Sequence, residues 1–150
     1  MLTILTIGYE KKPLSVLITQ LREAGVDAVI DIRLRNTSHL AGYTKLDTLA
    51  FMLPEGFDIA YEHHPELAPT DAILDAYRGA VPTARDWSAY EHEFLPLLAA
   101  RDVKSNSLNL LTRFHAPCLL CKEETADHCH RRLVAEFFAD RIPDLTIIHL

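Results

Sequence analysis

The sequence predicts an α/β fold: a single three-layer domain over residues 1–150, with a mostly parallel sheet of about five strands and helices on both faces. Three observations carry this expectation. Short apolar runs rich in β-branched residues alternate with stretches whose apolar residues recur at helical spacing. The runs are near-continuous, the pattern of strands buried on both faces. The first two are joined by a helix-length segment, which makes a βαβ unit of parallel strands with a right-handed crossover.

Leu2 to Ile7 reads as a buried first strand, broken by Gly8-Tyr9. Pro13 suits the first turn of a helix, Leu14, Leu17, Ile18 and Leu21 share one face of it, and Gly25 makes a stop. Ala28 to Arg33 is the second strand and ends on charge. Gly8-Tyr9 and Arg33 then lie along one rim, because parallel strands put their C-terminal ends on one edge. Leu34 to Lys45 lacks periodicity and is long enough for a functional loop. Leu46 to Leu53 reads as a short helix stopped by Pro54, and Phe57 to Tyr61 as a third strand. That strand runs into a proline-fixed loop, Glu62 to Pro69. Thr70-Asp71 can cap a helix through Tyr77. Asp86 to Ala100 is helical, with Trp87, Tyr90, Phe94, Leu97 and Leu98 on one side and Pro96 as a kink or early end. Asp102 to His115 is open between strand and helix. Cys118 to Leu120 and Asp144 to Leu150 supply the last strands.

Composition narrows the function classes. The chain has 150 residues, 49% hydrophobic and 24% charged, which suits one globular domain with a proper core. No stretch approaches the roughly 18 unbroken apolar residues of a membrane span, and the N-terminus shows no secretory signal. The three cysteines form no disulfide framework, which fits a reducing cytoplasm with thiols or metal rather than bridges. A net charge of −6 argues against broad nucleic-acid binding, although one nucleotide or a single-stranded end remains compatible.

Reactive side chains concentrate between Pro117 and Phe138. An apolar run breaks at Cys121, a charged loop follows, and a helical pattern opens with Cys129, His130, Arg131 and Arg132. From His130, apolar residues follow at Leu133, Val134, Phe137 and Phe138, so His130 lies in line with a core stripe. Asp127 or Thr125 can act as N-cap; with Asp127 as cap, Cys129 sits in the first turn, where the helix dipole lowers a thiol pKa. The bland alternative makes Cys129 a small buried hydrophobe and His130 a satisfied core histidine.

A series of motifs in order resembles the family known as domain of unknown function 488, which includes the YeaO-like proteins. They are Ile7-Gly8-Tyr9, Asp31-Ile32-Arg33, Tyr61-x-His63-x-Pro65-Glu66-Leu67, Leu120-Cys121-Lys122-Glu123, Cys129-His130-Arg131 and a late His149. The resemblance implies a cytoplasmic α/β fold and no known reaction. It singles out Arg33, His63, Cys121, Glu123, Cys129, His130 and Arg131. The sequence departs from the pattern where Ala68-Pro69 replaces a glycine pair and where Arg35-Asn36-Thr37-Ser38-His39 replaces an Arg-Ser-Arg-like run.

Three chemistries compete for these residues. In the first, Arg33, Arg131 and His63 bind an anionic, phosphate-bearing small molecule or nucleotide, because guanidinium forks match phosphate and carboxylate. Cys121 or Cys129 then serves as nucleophile or redox thiol, and Glu123 or His130 as general acid or base. The plain alternative pairs the arginines with Asp31, Glu66 or Glu123. In the second, Cys118, Cys121, His128, Cys129 and His130 offer zinc-type ligands, although strand alternation turns Cys118 and Cys121 to opposite faces. A zinc-deaminase variant, His64-Pro65-Glu66 with Pro117-Cys118-x-x-Cys121, matches in letters but puts its histidine in a loop and its first cysteine on a strand. The third is a nucleic-acid or protein-binding module using Trp87, Tyr90 and Tyr43. The first is expected, on the strand C-terminal rim, with no cofactor and no membrane partner; catalysis and oligomeric state are left open.

Overall fold

In the computed structural model, which describes residues 1–101 and 103–150 and all their side chains except those of 103–107, the first apolar run forms β1, Leu2–Gly8. Helix α1, Leu14–Glu23, buries Leu17, Ile18 and Leu21. It ends where Gly25 takes a left-handed φ of 68° and Val26 N–H reaches back to the Leu21 carbonyl at 2.9 Å. Strand β2, Ala28–Asp31, is buried throughout. The long loop after it holds a 3-10 turn, His39–Thr44, broken at Gly42.

Helix α2, Leu46–Phe57, runs past Pro54, where the sequence predicted a stop. Ala50 and Pro54 are both exposed, so the carbonyl that Pro54 leaves without a donor faces water. Asp58 closes the helix in the left-handed region. Phe57 therefore belongs to α2, and β3 is Ala60–His63 rather than Phe57 to Tyr61. Helix α3, Asp71–Arg78, is capped by Thr70, whose Oγ1 accepts the Ile73 N–H at 3.3 Å. Helix α4, Trp87–Ala100, is capped by Asp86 and carries Pro96 without ending there. The stretch left open is helical, α5, Val103–Arg113; Asp102 lies outside the described residues. Strand β4 is Pro117–Cys121, α6 is His130–Ala139 and β5 is Leu145–His149.

The five strands are all parallel, in the order β3-β2-β4-β1-β5. Helices α1 and α2 cover one face, where Leu17, Leu21, Leu49 and Leu53 pack on Ile7, Val29, Cys118 and Leu120. Helices α3 to α6 cover the other, where Phe94, Leu98, Leu111, Val134 and Phe138 pack with Ile4, Ile30 and Leu119. Right-handed crossovers that move in opposite directions along a sheet land on opposite faces. The loop leaving β4 therefore turns to one face while the loops leaving its neighbours β1 and β2 turn to the other. Such a reversal opens a crevice beyond the strand ends. Gly8 stands beside Cys121 and Asp31 beside Leu120 at that edge. Among the described residues, no helix is long and apolar enough to cross a membrane.

Candidate functional site

Asp31 is the polar anchor of the crevice and is fully buried at the end of β2. Its Oδ1 accepts the Arg33 amide at 3.1 Å and Arg33 Nε at 2.8 Å. Its Oδ2 accepts Arg33 Nη2 at 2.7 Å, Asn36 Nδ2 at 3.1 Å and the Tyr61 hydroxyl at 2.5 Å. Burial alone pushes this carboxyl up, but the hydrogen bonds and charge of Arg33, with Tyr61 and the Arg33 amide, outweigh it and hold Asp31 below its ordinary value. Burial and the Asp31 charge push the Tyr61 phenol up, so it remains a donor.

Arg33 is 4% exposed, and Nη2 also donates to the Thr44 carbonyl at 2.6 Å. The Arg33 guanidinium lies 5.2 Å from the Tyr9 ring centroid. Its Nη1 is shut off from solvent and has no hydrogen-bond partner among the described residues. Arg33 lines a narrow pocket, about 30 Å³ of water-accessible space, with Arg35, Arg78, Lys122, Tyr9, Cys121 and His130, walled by Leu34, Pro69 and Leu74. Arg35 is held over this pocket from α3, where Asp71 and Asp75 accept from it at 2.5 and 2.9 Å. A smaller cavity, about 10 Å³ of water-accessible space, adjoins, with Arg78, Glu123, Cys129 and His130 facing Tyr77, Trp87, Tyr90 and His128.

The pocket floor is a thiol and imidazole cluster. His130 Nε2 donates to the Ile32 carbonyl at 2.7 Å. A carbonyl only accepts, so in the neutral ring this bond leaves the Nδ1 lone pair free, and Nδ1 faces Cys121 Sγ at 3.3 Å. Cys121 Sγ also lies 3.4 Å from Glu123 Oε2. Glu123 Oε1 accepts Arg78 Nη2 at 3.0 Å. Burial raises the Glu123 carboxyl, but the Arg78 charge, the Cys129 thiol and its own amide outweigh that and bring it to about 2. Glu123 is therefore an ionised acceptor near neutral pH. Burial, then the Cys121 hydrogen bond and charge, push the Cys129 thiol well up.

Cys129 is the N-cap of α6 itself, with extended backbone and no side-chain cap bond, and the helix begins at His130. The expected cap, Asp127, stays outside because Cys129 N–H closes a turn on the Ala126 carbonyl at 3.2 Å. Arg131 lies behind the pocket and is 1% exposed. Its Nε donates to Thr6 Oγ1 at 3.2 Å, and its Nη1 donates to the Glu123 backbone carbonyl. The Thr6 hydroxyl bridges onward to His149 Nδ1 at 2.6 Å. Among the described residues no carboxylate pairs with Arg131, unlike Arg33 with Asp31 and Arg78 with Glu123. Gly8 lies against this arrangement: a Cβ there would run into the Glu123 carbonyl and Arg131 Nη1.

The structure thus brings together Arg33, Cys121, Glu123, Cys129 and His130 of the residues singled out in the sequence. His63 takes a supporting place, its Nε2 donating to the Arg33 carbonyl at 2.8 Å. Cys118 packs in the opposite core layer, where burial pushes its thiol far up. His64 is spanned by Glu62 and Glu66 at 2.7 and 2.6 Å, so the deaminase-like set is not assembled. Trp87 and Tyr90 stack on each other at 4.7 Å, and His128 stacks on Trp87. Sequence reasoning missed Arg78, the cation shared by both cavities, because only the packing of α3 brings it to this edge.

The model of the family described as Domain of unknown function DUF488 matches residues 13–138. Neither the curated proteins nor the solved structures give a match.

Proposed function

Because the chain belongs to the DUF488 family, whose name carries no reaction, the site itself must supply the function, and we propose that the pocket binds an anionic, phosphate-bearing small molecule or nucleotide. The single observation that carries this is Arg33 Nη1, a buried charged donor without a hydrogen-bond partner among the described residues. An orphaned buried donor costs about 1–3 kcal/mol, and more when charged, unless a ligand completes it. Arg35, Arg78 and Lys122 line the same pocket; Asp71 and Asp75 offset the charge of Arg35 and Glu123 that of Arg78, so these two offer oriented donors more than net charge. Leu34, Pro69 and Leu74 form a small apolar wall.

In this reading the Cys121–His130 pair, 3.3 Å apart at the floor, acts on the bound anion in a thiol-dependent or acid/base transfer or hydrolysis, with the arginines stabilising negative charge. Glu123, already ionised and paired with Arg78, serves as acceptor rather than acid. If the chain is an enzyme, Cys121→Ser abolishes turnover; a binding module keeps its function in that variant. Metal ligation is a second reading of the cluster, favoured by the grouping of Cys121, Cys129 and His130.

Calorimetric titration of metal-free protein with inorganic phosphate, AMP and ADP tests the anion site. Binding is expected, and Arg33→Lys should weaken it roughly 10–100-fold, the worth of one charge-assisted hydrogen bond. Phosphate should also raise the melting temperature of the parent, by about 2.7 kcal/mol of stabilisation at 100 times Kd. Absence of both effects, or parent-like affinity in Arg33→Lys and Arg78→Gln together, would remove the anion site.

A further inference from the structure

We infer that Cys121, Cys129 and His130 form a zinc-type metal centre with one coordination position open toward the anion pocket. The inference deepens the function proposed above and rests on it for the ligand that fills the open position. Two thiol sulfurs and one imidazole nitrogen, all buried, lie within 4.8 Å of one another. A tetrahedral ion with bonds of about 2.0–2.3 Å sets its ligand atoms roughly 3.3–3.8 Å apart. The Cys121 Sγ to His130 Nδ1 separation, 3.3 Å, already has that scale.

The imidazole is oriented as a ligand needs to be. Nε2 donates to the Ile32 carbonyl, so Nδ1 carries the lone pair on the cluster side. A backbone carbonyl on the far ring nitrogen is the usual outer-shell partner of a metal-bound histidine. The ligands come from the end of β4 and the start of α6, elements held by the core rather than by a free loop. Charge fits as well. Two thiolates balance a divalent ion, and Arg131 Nη1, 3.9 Å from Cys129 Sγ, supplies a cation that no carboxylate claims among the described residues.

The ligand count matters. Cys118 is on the other face of the sheet and His128 stacks on Trp87, so neither completes a four-ligand structural site, and Glu123, whose Oε2 lies 3.4 Å from Cys121 Sγ, is tied through its other oxygen to Arg78. Three protein ligands with a fourth position free is the arrangement of catalytic zinc, and two sulfurs with one nitrogen select zinc over magnesium or calcium. Cys121 and His130 also line the anion pocket, which puts two of the three ligands beside its arginines. Binding forms two metal–sulfur bonds and one metal–nitrogen bond and releases two thiol protons to solvent.

The experiment uses the full chain, purified without chelator or metal-binding tag, with elemental analysis followed by titration of the stripped protein with Co²⁺ and competition by Zn²⁺. About one zinc per chain is expected, and Co²⁺ should give the visible bands of a tetrahedral thiolate site that Zn²⁺ then bleaches. Cys129→Ala and His130→Gln should each lower affinity by more than the roughly 10–100-fold that loss of an outer-shell partner brings. Cys118→Ala should leave it unchanged. A folded parent that binds neither ion, or ligand variants that bind as tightly as Cys118→Ala, would overturn the metal centre. Phosphate calorimetry on the same samples separates the two ideas. A chain that binds phosphate but takes up neither Zn²⁺ nor Co²⁺ loses the metal centre alone, and one that takes up metal but binds no phosphate loses the anion site while leaving the centre in place.

Discussion

Replacing Asp31 by asparagine is expected to destabilise the fold by about 3–5 kcal/mol, the loss seen when one partner of a buried ion pair is removed. Asp31 is fully buried and Arg33 nearly so. The carboxylate takes five hydrogen bonds, three of them from Arg33. An asparagine keeps the shape but turns an NH₂ group toward donors and leaves the guanidinium charge without compensation. Denaturant unfolding should show a lower midpoint with an unchanged slope. The pH profile supplies a second reading. Asp31 is held below its ordinary value in the fold, so its contribution is complete above the unfolded carboxyl value of about 3.9 and is lost as pH falls through the folded value. The parent should therefore lose stability across that acid window, and Asp31→Asn should lose less there because it has no such group. Parallel acid limbs for parent and variant would show that the pair does not hold this edge together.

The same residues show how far the sequence could be read. The strands and the helices that carry long apolar faces were legible, since Leu17, Ile18 and Leu21, or Tyr90, Phe94 and Leu98, repeat at a helical period that burial then enforces. Pro54 was misleading because a proline on the exposed side of a last turn loses a bond that water replaces. The rim was legible too, because parallel strands point their C-terminal ends one way, and this gathers Gly8, Arg33 and Cys121 at one edge. The insertion of β4 between β1 and β2 was not legible, since no local pattern records which strand lies beside which. Nor was the division of labour between the arginines. Arg33 and Arg131 look alike in a string of letters, yet one lines the pocket and the other braces the loop behind it.

Gly8→Ala is the second change expected to have a large effect, and it reaches the site without touching any reactive atom. The added methyl would collide with the Glu123 carbonyl, a backbone atom, and with Arg131 Nη1. A flexible side chain can yield a few tenths of an ångström, but the Glu123 carbonyl is held between Gly8 and the Arg131 guanidinium. Relief requires the loop after β4 to move, and that loop holds the Glu123 carboxylate against Arg78 and joins Cys121, at the end of β4, to His130 at the start of α6. Overpacking of this kind costs about 1–3 kcal/mol and occasionally more. Stability should fall by the upper part of that range, and Co²⁺ bands and phosphate binding should weaken together. Gly56→Ala is the matched comparison. Gly56 lies in the last turn of α2 with nothing near the new methyl, so that variant should gain about 0.4–1 kcal/mol and leave both ligands bound. If Gly8→Ala lost stability alone and kept both ligands, the Glu123 loop would be a brace for the fold rather than the element that positions the cluster.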